Sequence, residues 1–520
     1  MKSRRAIASS KAARRFEPSG LAPVPVLALV SAAAAWFFYS HGWLLWYGDA
    51  EAHLNTARRI IDNQTSGYDQ IGSVWLPLPH VLLLPFVRVD AWWHSGIAAA
   101  FPSGVCFVIG GTFLFAAARR IFDSRAAAVA ACGLAALNPN LLYLQSTAMT
   151  EAVFFAALMA LLYFSVRFRD AQGWWPVVGA GVAASAGALT RYEGWFLIPF
   201  AAAYFWFAAR RRRWTVALVF ACLAASGPLY WMANDWYLTG DPLDFYRGPW
   251  SARAIQGSAD FPGKGQWHMA WYYYRKAAQL CAGTELALMA LAGAAVMLWR
   301  RAFWPLVLLA LPGVQVIWSM HAGVVPIFMP ILWPFSWYNT RYGLGVLPLL
   351  ALAGAALVTI VPPRFRAGAA ALVLLAATAP WLLHPHPESW ITWAESRANS
   401  EGRRAWMREA AAYLAPRFVP GSGIIASSGD DFFGIFREMG IPLRETFSVV
   451  NGLPYLATVA RPDLFLWQEW AVVKGGDDAQ TAVNRAGRYG IRYRLEKMIV
   501  EKNEPVIEIY RRVGGIHGTQ

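Results

Sequence analysis

Charge is the scarcest commodity in this chain: Asp, Glu, Lys and Arg together make up only 15% of its 520 residues. A water-soluble protein carries nearer a quarter, so one soluble globular body is excluded. Lysine is rarer still. Only Lys2, Lys11, Lys264, Lys276, Lys474, Lys497 and Lys502 occur, so arginine supplies 39 of the 46 basic residues. With the Ala-rich runs, that bias points to a GC-rich bacterial genome. There are four cysteines, Cys106, Cys132, Cys222 and Cys281, all in or beside apolar runs. Their spacing excludes a disulfide framework and a thiolate metal site, leaving them as small core residues. There is no internal repeat and no low-complexity tract.

What fills the chain is hydrophobic surface: 57% of residues are apolar, with 27 Trp and 20 Tyr and a mean hydropathy of +0.35. Apolar runs recur at the length needed to cross about 30 Å of hydrocarbon. They fall at roughly 22–40, 95–117, 125–143, 150–167, 174–190, 194–210, 214–232, 277–299, 302–320, 340–361 and 367–383. The expected fold is therefore a polytopic α-helical membrane protein of about eleven spans, with Trp and Tyr belts at the interfaces. The net charge of +15 does not imply nucleic acid. The arginines cluster at Arg4/Arg5/Arg14/Arg15, Arg119/Arg120/Arg125, Arg167/Arg169, Arg210 to Arg213, Arg300/Arg301 and Arg364/Arg366, in every second connection. Short basic loops stay in the cytoplasm, which puts the N-terminus inside and the C-terminus outside. A cleaved signal peptide ending near "SAAAAW" is the rival reading of the start. Polar site candidates follow at once, which favours a retained span.

The segment "VWLPLPHVLLLPFVRVD", 74–90, is apolar enough to resemble another span, but it is short and holds Pro77, Pro79 and Pro85. It reads as an external helix lying at the interface. Beyond residue 384 the composition turns polar. "GIIASS", "PDLFLWQEW" and "EPVIEIYRR" read as strands, and "DDFFGIFREMG" and "DDAQTAVNRAGRYG" as helices. The expected domains are a cytoplasmic basic arm over 1–20, a transmembrane domain over 21–384 with external loops 41–94 and 233–275, and a small extracytoplasmic α/β domain over 385–520.

Ionisable groups at membrane depth are costly, so each is a candidate for function. On this topology they gather on the external side: Asp49, Glu51 and His53 in "WYGDAEAHL", Glu151 in "QSTAMTEAVF", Arg191 and Glu193 in "LTRYEGW", then Asp235, His321, and Arg341 in "WYNTRYGLG". Each one alone reads equally as a solvated span end or a structural ion pair. Asp49 and His53 are four apart and share a helix face, while Glu51 points toward Asn55 and Arg58. Asp49, His53 and Glu151 could together hold a divalent ion, Mg²⁺ or Mn²⁺. Loop 233–275 mixes Trp236, Tyr237, Tyr246, Trp250, Trp267 and Trp271 with Arg247, Arg253, Lys264 and Arg275. That composition suits a sugar ring and a phosphate, and equally an interfacial belt.

The acidic motif after the first span, the Pro-punctuated segment, "RRIFDSRAAAVAACGLAALNPNLLYLQSTAMTEAVF", "LTRYEGW" and "NTRYGLGVLPLLALAGA" resemble the GT-C glycosyltransferases over 20–385. The nearest branch is the bacterial relatives of protein mannosyltransferases and lipid A aminoarabinose transferases. The resemblance implies inverting transfer from a polyprenyl-phosphate sugar at the external face of the inner membrane. The acceptor would be a lipid, a glycan or a protein. It matches the family's first-loop acid with Asp49 and its second acid with Glu51, although Ala50 intervenes here. The acid of the next external loop matches Glu151, where many members carry Asp. Asp49 is then the candidate base. Arg191 and Arg341, with Lys264 or Arg247, would stabilise the leaving phosphate, supported by His53, Tyr192, Glu193 and Tyr342. A transporter of lipid-linked sugars, a ligase using a diphosphate donor and a ligand sensor are the alternatives.

Overall fold

The computed structural model describes residues 21–384, 389–427 and 433–513. The expected basic arm, 1–20, lies outside them. The chain divides into two compact units. The first takes the chain up to His41, Ser73–Pro79 and Ala100–Glu395; the second takes Gly42–Gly72, His80–Ala99 and everything from Ser396 on.

The first unit is helical. Among the described residues, six helices are long and apolar enough to cross a membrane: Ile97–Phe122, Glu151–Ala171, Arg213–Thr239, Phe303–His321, Thr340–Ile360 and Pro363–Leu383. Val24–Ser40 and Arg125–Ala136 are shorter apolar helices. Trp174–Ala188 and Glu193–Ala208 fill the remaining expected positions.

Two expected spans are broken, and each has a local cause. The run 125–143 is two helices, Arg125–Ala136 and Pro139–Leu144. Asn138 caps the second through its side chain, with Pro139 at its first position. Twelve residues reach only about 18 Å, short of the hydrocarbon thickness. The run 277–299 belongs to Trp267–Ala282 and Thr284–Trp299, bent by 108°. Gly283 sits between them at φ +89°, a conformation that costs glycine little. The break is closed from inside the protein: Asn138 and Asn140 each donate their side-chain amide to the Cys281 carbonyl at 2.9 Å. Loop 233–275 is correspondingly shorter than expected, because helices extend to Thr239 and resume at Trp267.

In the second unit, a five-stranded sheet forms among the described residues, in the order β2-β1-β3-β5-β4. The strands are β1 (Ile424–Ala426), β2 (Thr446–Phe447), β3 (Trp470–Lys474), β4 (Arg492–Ile499) and β5 (Ile507–Val513). β1 pairs in parallel with β2 and β3, and β5 runs antiparallel to β3 and β4. Ile425, Phe447, Ala471 and Val473 pack with Tyr455 and with Ala479, Ala482 and Val483 of helix Asp478–Ala486. The stretch "PDLFLWQEW" is mostly not a strand. Pro462 opens a short helix, Pro462–Phe465, and pairing starts only at Trp470, because proline at a first helical position is preorganised for that turn.

The segment after the first span belongs to this second unit. Helix Gly48–Ile61 is fastened there through Asp62, which accepts from the Leu443 amide at 3.1 Å, and through Asn63, which accepts from Asn451 at 2.9 Å. Leu78–Val87 is a ten-residue helix with Pro85 inside it, about 15 Å long and too short to span.

Candidate functional site

In the first unit the site is built on helix ends. Glu151 is the first residue of Glu151–Ala171, and Glu193 is the first residue of Glu193–Ala208. A carboxylate at that position is favoured by the helix dipole. Arg191 lies in the turn just before Glu193. Its Nη1 donates to Glu151 Oε1 at 2.9 Å and to Thr150 Oγ1 at 3.1 Å, and its Nη2 donates to Glu193 Oε1 at 2.7 Å. Arg341 comes from the 3₁₀ segment Thr340–Val346. Its Nε is 3.5 Å from the same Glu151 oxygen, and its Nη1 is 3.4 Å from Glu395 Oε1. Both guanidinium groups lie over the Tyr342 ring, at 4.9 and 5.3 Å. The close approach that delivers Arg341 depends on Gly343, where a Cβ would meet the Ala277 backbone at 2.4 Å.

The charges are well matched. Burial works against the charge of Arg191, but Glu193, Glu151 and Tyr342 outweigh it and hold its pKa above the usual value. Glu395 is 1% exposed, and burial raises its pKa despite Arg341 and hydrogen bonds from Thr340 and Arg341. Two guanidinium groups thus face the carboxyl groups of Glu151, Glu193 and Glu395. Glu151 Oε2 is buried and finds no hydrogen-bond partner among the described residues. It belongs to a pocket walled by Phe154, Phe155, Leu158 and Val316, with Arg191, Glu193, Arg341 and Tyr342 as its polar side. That pocket holds only about 40 Å³, enough for a water-sized group but not for a sugar ring. A larger ligand must part at least one of these ion pairs.

The other candidates of this unit are placed elsewhere. Neither Arg247 nor Lys264 lines the pocket. Arg247 is exposed and paired with Asp241 at 2.6 Å, and Lys264 donates to the Ala259 carbonyl at 2.8 Å. The Tyr192 hydroxyl donates to the Val74 carbonyl at 2.7 Å while its ring stacks on Phe245. Tyr192 thus anchors the entry to the proline-rich segment. Asp235 is fully buried and accepts the Phe245 amide at 2.9 Å. His321 stacks on Trp267 at 4.0 Å.

In the second unit, "GDAEAH" does start a helix, and its three ionisable groups part company. Asp49 is half-buried in the first turn. Glu51 is 1% exposed and accepts from Arg437 Nε at 2.9 Å, while Arg437 Nη1 donates to the His94 carbonyl. His53 Nδ1 meets His80 Nε2 at 2.8 Å, so one ring donates and the other accepts. Arg58 is held by Asp62 at 2.8 Å and Asp90 at 2.7 Å. His80, Glu395 and Arg437 were not candidates from the sequence. Glu395 and Arg437 sit in ordinary polar stretches, and His80 follows a proline in an apolar run, so only the tertiary fold reveals them.

Among the described residues, no three His, Cys, Asp or Glu side chains are grouped as a metal site needs. Glu151 is already flanked by two guanidinium groups, which repel a cation.

Two predictions arise from these contacts. Arg437→Met leaves Glu51 buried without its partner and should destabilise the protein by about 3–5 kcal/mol, read as a lowered thermal midpoint in detergent. Pairing it with Glu51→Leu should recover most of the loss. Burial, then the charges of His53 and Arg59, lower the pKa of His80. A base with a lowered folded pKa takes up a proton more readily when unfolded. Stability should therefore be level above about pH 6.5 and fall as the pH drops below it. Melting curves between neutral and mildly acid pH test this, and His80→Gln should flatten the slope.

Comparison with known proteins adds a family match over part of the chain and a fold. Residues 93–231 match the family model for dolichyl-phosphate-mannose-protein mannosyltransferase. The structure resembles that of ArnT from Cupriavidus metallidurans bound to undecaprenyl phosphate, with a TM-score of 0.58 and 14% identity, over 96% of this chain and 100% of that one. The oligosaccharyltransferase of Archaeoglobus fulgidus in its apo form matches with a TM-score of 0.46 and 16% identity, over 89% of this chain and 70% of that one. No curated protein matches the sequence.

Proposed function

We propose that this chain, a multi-pass membrane protein with the fold of the GT-C glycosyltransferases, moves a sugar from a polyprenyl-phosphate donor to an acceptor hydroxyl. The acceptor is a lipid, a glycan or a protein, and the reaction takes place at the external face of a bacterial inner membrane. The observation that carries this reading is the Arg191–Glu151–Arg341 cluster at the end of a membrane-length helix, beside an apolar-walled pocket.

The chemistry follows from the groups. The acceptor O–H gives its proton to the Asp49 carboxylate, and its oxygen attacks the anomeric carbon. The bond from that carbon to the phosphate oxygen breaks with its electron pair, releasing polyprenyl phosphate with inversion at the sugar. The departing phosphate gains negative charge, which Arg191 and Arg341 stabilise. Glu151 holds both arginines until the donor arrives, and the phosphate takes its place on at least one of them. Asp49 is taken as the base because the family resemblance matches it with the first-loop acid, and Glu51 is buried against Arg437. Glu51 then acts as a positioning residue.

The break at Gly283 is the one observation that favours a transporter, since transporters bind substrate at interrupted helices. Here the freed Cys281 carbonyl is already satisfied by Asn138 and Asn140, so the break is structural. Mass spectrometry of envelope glycolipids and glycoproteins from a deletion strain tests the proposal. One glycoconjugate should lack a single sugar. Unchanged glycoconjugates, with the lipid-linked donor not accumulating, would count against it.

A further inference from the structure

We propose that the opposite end of the same helices carries a second binding site, for the phosphate-bearing headgroup of an anionic membrane lipid. It rests on the membrane reading but not on the sugar transfer. A cavity of about 460 Å³ lies there, lined by Phe168, Gln172, Trp174, Arg210, Arg211 and Arg212 among others, a size within the range of small-ligand sites. Helix Glu151–Ala171 connects the two regions: Glu151 opens it, and Phe168 and Gln172 close it. Its 21 residues span about 30 Å, the thickness of the hydrocarbon layer, so the two sites face opposite membrane surfaces.

The cavity is built by the backbone. Gln172 ends the helix in the left-handed region, φ 52°. Its side-chain amide donates to the carbonyls of Phe168 and Ala208, and its oxygen accepts from the Arg210 amide at 2.9 Å. One side chain thereby ties two helix ends together and sets the start of the arginine run. Helices Trp174–Ala188 and Arg213–Thr239 both begin here, and neither has an acid in its first turn. Their positive dipole ends are left uncompensated. Arg213 is committed to the Ala209 carbonyl and the Trp206 ring, and the nearby Asp170 pairs with Arg120 and Arg169. Arg210, Arg211 and Arg212 are exposed, and no carboxylate pairs with them among the described residues. Three guanidinium groups and two helix starts around one cavity call for a phosphate.

The surroundings name its source. Trp174, Trp175, Phe207 and Trp214 are 45–81% exposed around this end, the signature of a bilayer interface. Basic pockets between spans at such a surface suit anionic headgroups.

The test is native mass spectrometry of the purified full chain in detergent, with phosphatidylglycerol or phosphatidylcholine added. The wild type should retain phosphatidylglycerol and not phosphatidylcholine. The triple variant Arg210→Ala/Arg211→Ala/Arg212→Ala should lose that adduct at least tenfold, with an unchanged melting temperature. The single variant Arg211→Glu should do the same if the triple variant fails to fold. Millimolar inorganic phosphate should not displace the lipid. Equal retention of both lipids, undiminished binding by the variants, or displacement by free phosphate would overturn the proposal.

Discussion

Asp49→Asn should lower the turnover of sugar transfer by about 10²–10⁴-fold, the range that a positioned general base contributes. Asparagine has the same shape and cannot take the acceptor proton. Asp49 is half-buried in a first helical turn and asparagine fits the same space, so melting temperature and donor affinity should stay near wild type. That split separates a base from a structural acid. Glu51→Gln is the contrast: it disturbs a buried pair with Arg437 and should act first on stability. Steady-state transfer kinetics with melting curves for both variants decide it. Near-normal turnover in Asp49→Asn would remove Asp49 from the chemistry.

Arg341→Lys should cut kcat/KM for transfer by about 10²–10³-fold, the scale of losing one preorganised donor to a developing oxyanion. The substitution keeps the positive charge beside Glu151 and Glu395, which protects the fold. It removes the planar fork that stacks on Tyr342 and that would reach two oxygens of a donor phosphate at once. Lysine presents one point charge, so the loss should be in donor use and not in melting temperature. Arg247→Lys should leave transfer unchanged, because Arg247 is an exposed partner of Asp241 away from the pocket. Initial rates over a range of donor concentrations check both. Equal effects at 341 and 247 would contradict the assignment.

Composition and hydrophobic run length sufficed for a polytopic helical protein, because lipid leaves the backbone few options. They did not show where a run breaks. The stretch "CAGTEL" carries a legible signal, a glycine followed by Thr284 and an acid at Glu285, which are stop and start marks inside one apolar run. Asn138–Pro139 is the same kind of mark. The clustering of Glu151, Arg191 and Arg341 was readable in outline, since charges at span ends on one side converge. Glu395 was not, because nothing distinguishes a buried glutamate in "TWAESR" from its solvated neighbours. The second unit was legible as α/β, yet its claim on Gly42–Gly72 was not. That attachment rests on pairs such as Glu51–Arg437 and Asn63–Asn451, nearly four hundred residues apart in sequence.

The most direct test reconstitutes the purified protein in vesicles with a polyprenyl-phosphate donor labelled in its sugar, together with an envelope extract as acceptor. The account predicts that label moves into an acceptor in step with release of polyprenyl phosphate, and that Arg341→Lys abolishes most of both. Label that crosses the bilayer while still attached to its lipid, with no polyprenyl phosphate released, would contradict it.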